Sequence, residues 1–313
     1  MSTQQLARSP LLMPALGRGV VTGIGKRPSA DAPLPGTRLV LPAARIDAAR
    51  VIRYARVCGF RETDPLPITY PHILGFPLAA RLMGDRGFPL PLLGLVHTGI
   101  EIVQHRPLSP ADRPELTVYA AGLRPHHRGT EAEIVTEARL HGEPVWSDRS
   151  TYLARHRTGR RTDVPKPADS PESADSPESA DSPESADSPG PADSPEPREP
   201  LPVAARWDLG ADLGRRHAAV SGDYNPIHLY PLTARLLGFR RAIAHGMWTF
   251  ARCVAETGAS SARNVTVRAE FRAPVLLPAT VSYGRLGTDF ELRGGRDGSR
   301  THLRGRVTTN GDW

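Results

Sequence analysis

The chain is poor in cysteine, in aromatic residues and in long apolar runs, and each shortage closes off a class of protein. Its two cysteines, Cys58 and Cys253, stand far apart in dissimilar surroundings. They form neither a disulfide framework nor a metal motif, so both are expected as buried thiols in a reducing cytoplasm. No apolar run reaches the roughly 18–20 residues that a membrane-spanning helix requires. The opening stretch "MSTQQLARSPLLMPALGRG" sets an apolar patch between Arg8 and Arg18 and breaks it at Pro14. No small-residue cleavage site follows, so no signal peptide is expected. Aromatic residues are 6% of the chain, and arginine clusters such as "RTGRRTD" have none interleaved. No nucleic-acid-binding module is recognisable, and no nucleic-acid partner is expected. The glycines of "GVVTGIGKRP" are wrongly spaced for a phosphate loop, and Arg27 follows Lys26 where Ser or Thr is needed. "RPHHRG" has adjacent histidines but no third ligand at metal spacing, and reads as a surface loop.

Positive charge is what the chain has in excess. Its formal net charge is +7, yet residues 169–199 hold ten acidic residues and one arginine, so the remainder carries +16. Solubility accounts for such a surface. A phosphate-bearing partner, such as a nucleotide-tailed acyl carrier, would use the same charge.

At 313 residues the chain exceeds one ordinary core and fits two domains of about 130–150 residues each. The division is visible. "ADSPESADSPESADSPESADSPGPADSPEPREP" repeats the unit DSPESA, has no aliphatic residue larger than Ala and places Pro every few positions. Such a stretch forms neither helix nor ladder and cannot bury a core, so it is an extended, disordered linker. The expected layout is an N-terminal extension (1–36), a first domain (37–165), the acidic linker (166–200) and a second domain (201–313).

The two halves share one order of elements. "IDAARVIRYARVCGF" and "GADLGRRHAAVSGDY" both read as short helices that stop at a glycine. "PHILGFPLAARLMGD" and "HGMWTFARCVAETG" both read as longer helices with little polar stripe. Alternating strand material follows each, with an X-Pro step (Arg106-Pro107, Ala273-Pro274) after the first strand. A helix apolar on nearly every side needs a sheet wrapped around it. The expected fold class is therefore α+β: a tandem, double hotdog, each half a curved antiparallel sheet around one buried helix.

Chemistry concentrates in "SGDYNPIHLYPLTARLLGFRRAIAHGM", residues 221–247. Pro226 confines Asn225 to extended geometry, which disfavours helix there. An Asn-Pro turn instead folds the chain so that the Asp223 carboxylate and the His228 imidazole converge, with Asn225 satisfying turn backbone groups. Such a pair can hold one water and move its protons. His245-Gly246 opens the second buried helix, whose first N–H groups have no intrahelical partner. Without a side chain at Gly246, an acyl carbonyl can approach that N–H, an oxyanion site worth about 3–4 kcal/mol. Taken singly, Asp223 reads as a turn residue, His228 as a loop histidine and His245 as a hydrogen-bonded structural residue. Their fixed order before a glycine at a buried helix head favours a site.

"SGDYNPIH", "GFRRAIAHGM" and "FRAPVLLPATV" together resemble the MaoC-like dehydratases and (R)-specific enoyl-CoA hydratases across most of residues 205–310. "CGF", "LPITYPHILGFPLAARLM" and "LLGLVH" resemble the first half of double-hotdog members. The resemblance implies a cofactor-free, metal-free hydro-lyase interconverting trans-2-enoyl and (R)-3-hydroxyacyl thioesters in fatty-acid metabolism. Asp223 and His228 would activate the water, Gly246 would polarise the thioester carbonyl and Asn225 would support the turn. Val254 stands where some members carry a hydroxyl residue, and Thr249 lies nearer the helix start. The implied partner is an acyl-CoA or acyl carrier protein thioester, with homodimer pairing of the double hotdog left open. A thioester hydrolase and a non-catalytic acyl-thioester-binding protein are the alternatives.

The first half is expected to lack chemistry. Phe60 falls where Asp223 sits, no histidine follows at the catalytic step, and His72 falls opposite His245. About a dozen residues, corresponding to "PIHLYPLTARLLGFRR", are missing there. Their absence leaves room for an acyl tail, with Ile73, Leu74 and Phe76 as candidate walls.

Overall fold

The computed structural model describes residues 2–92, 94–156, 199–295 and 297–309. The acidic repeat expected as a linker lies outside the described residues. In chain order the first half comprises β1 (Ser2–Gln5), α1 (Leu12–Gly23), β2 (Thr37–Leu41), α2 (Ala48–Cys58), α3 (Tyr70–Met83), β3 (Val96–Gln104), β4 (Glu115–His126), β5 (Gly129–Leu140) and β6 (Glu143–Arg155). The second half comprises β7 (Val203–Leu209), α4 (Leu213–Ser221), α5 (Pro226–Leu229), α6 (Pro231–Leu236), α7 (Gly246–Ala255), β8 (Val265–Phe271), β9 (Ala279–Leu286), β10 (Asp289–Gly294) and β11 (Arg300–Thr309).

The matching order of elements reappears as matching topology. The strands form one sheet in the order β1-β2-β4-β5-β6-β3-β8-β11-β10-β9-β7. From either outer side inward, each half runs first, third, fourth, fifth and second of its own five strands, leaving β1 aside. The halves meet where β3 pairs antiparallel with β8, Gly99 opposite Glu270 through Gln104 opposite Val265. This is the double hotdog the sequence leads one to expect, with one difference. The central pairing and the helices between the halves make a single apolar core in place of two separate ones.

Local chemistry sets the helices. Asp47 caps α2 by accepting from the Arg50 N–H, and Gly59 ends it at φ 82°. Gly222 ends α4 in the same left-handed way at φ 85°. That conformation suits a residue without Cβ. α3 is buried almost all round and presses so close to β5 that a Cβ on Gly75 would lie 2.6 Å from Thr136 Cγ2. Full burial of side chains such as Leu78 is worth about 1.5–3 kcal/mol each. The halves are tied by polar bonds as well. Trp248 Nε1 donates to Val57 O at 2.9 Å, Arg50 Nε to Val220 O at 2.7 Å, and Gln104 Nε2 to Ala262 O at 2.8 Å.

The first 36 residues are more than an extension. β1 pairs in parallel with β2, and α1 packs on α3, where Thr22 Oγ1 donates to Gly84 O at 2.8 Å and Lys26 Nζ to Asp85 O at 2.9 Å. Pro14 is accommodated because it falls in the first turn of α1, where N–H groups have no intrahelical partner. Among the described residues no helix is long and apolar enough to cross a membrane.

Candidate active site

One cavity of about 1220 Å³ is lined by residues of both halves, including Asp223, Asn225, His228, His245, Gly246 and Thr249. The turn that builds it starts where Gly222 stops α4. Ser221 Oγ accepts from the Asp223 N–H at 3.2 Å, and Asp223 Oδ1 accepts from the Asn225 N–H at 3.2 Å. Asn225 then caps α5, its Oδ1 accepting from the Ile227 N–H at 3.4 Å. This corrects one expectation. Asn225 is extended, at ψ 125°, but Pro226 occupies the first turn of a short helix that carries His228. Pro disfavours helix at the residue before it, not at its own first-turn position.

His228 is held from behind. Its Nδ1–H donates to Ile243 O at 2.9 Å, so Nε2 carries the lone pair. His245 caps α7 in extended geometry and donates Nε2–H to Asp223 O at 2.9 Å; the same nitrogen is 3.8 Å from Asp223 Oδ2. The His228 and His245 rings stack at 3.7 Å, and His217 of α4 lies 4.5 Å from His245. One donor atom each of Asp223, His228 and His245 falls within 4.8 Å of the others. A water fits such a convergence, and so does a cation. The two imidazoles are already bound to backbone carbonyls through His228 Nδ1 and His245 Nε2.

The histidines stay neutral. Burial, then the neighbouring His245, pushes His228 down to about 3, against the opposing pull of Asp223. Burial lowers His245, and again Asp223 opposes it. His217 is driven well below the usual value by burial and by His245, and neither of its nitrogens has a partner. In the first half, burial likewise pushes His97 down to about 3.

These rings make stability depend on pH. Unfolded histidines take a proton near pH 6.5, whereas folded His228 and His97 do so only near 3. As pH falls through that window the unfolded state binds more protons, so stability declines with acid and is full above it. The Tm is therefore expected to be flat above about pH 7 and to drop steadily toward about pH 4. His97→Phe should make the drop shallower, as thermal melts across pH will read.

Gly246 lines the cavity, and a Cβ there would sit 3.2 Å from the Phe271 ring. As the first residue of α7, its N–H has no intrahelical acceptor. Thr249 is the hydroxyl that α7 brings to the cavity, donating to Gly246 O at 2.7 Å. Val254 is buried in the core and does not line the cavity. Of the candidate tail walls, Ile73 and Phe76 line the cavity. Leu74 does not; it packs against the core, because consecutive helical residues point about 100° apart.

Sequence reasoning passes over His217, and in the first half it passes over His97 and the contact of His72 with Asp148. His217 sits one helical turn before Ser221, on the face of α4 that the turn covers. That spacing is the one available signal.

The family model described as MaoC like domain matches residues 188–307. The 3-hydroxyacyl-thioester dehydratase X of Mycobacterium tuberculosis is 34% identical over 264 residues, 83% of this chain and 85% of that protein. The crystal structure of HtdX from Mycobacterium tuberculosis superposes with a TM-score of 0.68 at 33% identity, covering 86% of this chain and 99% of that one. The fold alone is shared with a MaoC-like dehydratase of Phytophthora capsici, at a TM-score of 0.65 and 17% identity over 90% and 98% of the two chains. Identity to the mycobacterial dehydratase extends over most of this chain, and the chain belongs to the MaoC-like dehydratase family.

Proposed function

We propose that the protein adds water to trans-2-enoyl thioesters to give (R)-3-hydroxyacyl thioesters, or removes it again, with Asp223 and His228 as the catalytic pair. The observation that carries this reading is the neutral His228. Its Nδ1–H is committed to Ile243 O, beside the Asp223 carboxylate and in the same cavity as the Gly246 N–H.

The chemistry follows from those positions. A water between the Asp223 carboxylate and His228 Nε2 attacks Cβ of the enoyl group while Nε2 takes its proton. The Gly246 N–H, at the positive end of α7, stabilises the negative charge that moves to the thioester oxygen. The imidazolium is disfavoured by burial, so it hands the proton on to Cα as the enolate collapses. Hydroxyl goes to Cβ and a proton to Cα, and the pair is restored. Asn225 keeps the turn that aims the pair.

The domain limits expected from the sequence belong to the same proposal, with the first half as a non-catalytic wall. The carrier is coenzyme A or an acyl carrier protein, and the buried thiols Cys58 and Cys253 suit a cytoplasmic setting. Exposed Leu232 and Leu236 on α6 support a homodimer. The test follows loss of the enoyl absorbance together with release of free thiol. Absorbance loss without thiol supports the dehydratase, and thiol release supports a hydrolase.

Ile73 and Phe76 are the proposed tail walls. Ile73→Trp is expected to lower kcat/KM for octenoyl-CoA about tenfold relative to crotonyl-CoA, since a filled wall excludes the longer chain. Equal loss on both substrates would place the tail elsewhere.

A further inference from the structure

The half without Asp223 and His228 carries a carboxylate–imidazole pair of its own on the same cavity. His72 lies in the first turn of α3 and lines the cavity, and its Nδ1 is 2.8 Å from Asp148 Oδ2 on β6. The two side chains are 6% and 1% exposed, and Ser150 Oγ donates to Asp148 Oδ1 at 3.4 Å. A carboxylate accepts, so Nδ1 carries the proton and Nε2 is the nitrogen left for a bound molecule. His97 stands beside it, its ring 6.1 Å from His72 and stacked 4.6 Å from Tyr152. His97 Nε2 is buried without a partner.

This cluster borders the reaction centre. Phe271 packs 4.8 Å from His97 on one side and faces Gly246 on the other. On the first half the lining mixes apolar Ile73, Phe76 and Leu153 with polar Thr98 and Thr151. A pair that merely tied α3 to β6 would need no unspent ring nitrogen beside a cavity. Burying polar groups in such surroundings is costly unless they are hydrogen-bonded.

We propose that His72, positioned by Asp148, hydrogen-bonds a hydroxyl group on the acyl chain, so that hydroxylated acyl thioesters are the preferred substrate class. The proposal rests on the dehydratase reading above. His72 Nε2 meets the chain hydroxyl, and the His97 ring backs the His72 ring. A saturated chain leaves His72 Nε2 unpaired, which is how a site built for a hydroxyl discriminates against an analogue lacking it.

The experiment compares kcat/KM for trans-2-octenoyl-CoA with that for its singly hydroxylated derivatives, the hydroxyl placed at each carbon beyond the double bond. In the wild type, one derivative is expected to exceed the parent by about tenfold or more. His72→Phe should bring that ratio to about one, and Asp148→Asn should reduce it partway, because the ring remains but loses its orientation. His72→Phe leaves Asp148 buried without its partner. The double variant His72→Phe/Asp148→Leu removes that charge and carries the same expectation. No preference in the wild type, or a preference that survives both His72 variants, overturns the subsite. Failure of the wild type to hydrate any enoyl-CoA would contradict the dehydratase reading instead.

Discussion

Asp223→Asn and His228→Gln are each expected to lower kcat for hydration by about a thousandfold, the scale of a lost general acid–base group. The reason is local. A neutral amide in place of the Asp223 carboxylate could not offset the imidazolium formed on His228. An amide in place of the His228 ring has no basic nitrogen to take the water's proton. Both variants preserve volume and polarity, so the Tm should move by only a few degrees. Steady-state kinetics with thermal melts on the same preparations check both. The double variant should be no slower than the worse single one, because the two groups act as a unit. Near wild-type turnover in either variant, with an unchanged melt, would remove the pair from the mechanism.

The second large effect comes from a residue that meets no substrate. Gly214, in the first turn of α4, faces the backbone of α5, and a Cβ built there would lie 1.8 Å from His228 O. That oxygen is backbone and cannot swing aside as a side chain would, so the segment that carries it must shift. Gly214→Ala therefore pushes the segment carrying His228 away from Asp223, by on the order of 1 Å, a displacement that costs about a hundredfold in rate. A lower Tm should accompany the loss, since the contact lies in a buried seam. Gly287→Ala serves as the comparison. A Cβ there meets nothing within 4 Å, although φ is 57°, so backbone strain is its sole cost. Activity should survive that change and fall with Gly214→Ala.

The contrast between Asp223 and Gly214 indicates what a sequence displays. The Asp-x-Asn-Pro-x-His order is local, and each residue type has a separate reason to be there, so the pair and its turn are legible. The same holds for α2 and α4, which end at Gly59 and Gly222 because only glycine takes the left-handed turn without strain. The close approach of Gly214 to His228 depends on how α4 lies against α5, and no local pattern records it. His72 and Asp148 are 76 residues apart and meet only because the fold lays α3 against the sheet. The first half consequently reads as inert from sequence. α5 escapes notice because a single turn of helix after Asn-Pro has no periodicity to detect. Leu74 falls on the expected cavity wall because neighbours on a fully apolar helix look alike. The edge strand β1 is hidden for a similar reason: four exposed residues, "STQQ", carry no alternation of apolar and polar positions.

The central claim is that one pair, on one face of the substrate, takes the water's proton and delivers a proton to Cα. Hydration of crotonyl-CoA in heavy water tests it most directly, with the product's configuration at both carbons read by NMR and chiral analysis. Asp223 and His228 acting from one side predict syn addition, with deuterium at Cα and hydroxyl at Cβ entering from the same face, and a single (R)-3-hydroxy product. Anti addition, deuterium scrambled between both faces of Cα, or an (S) product would contradict it.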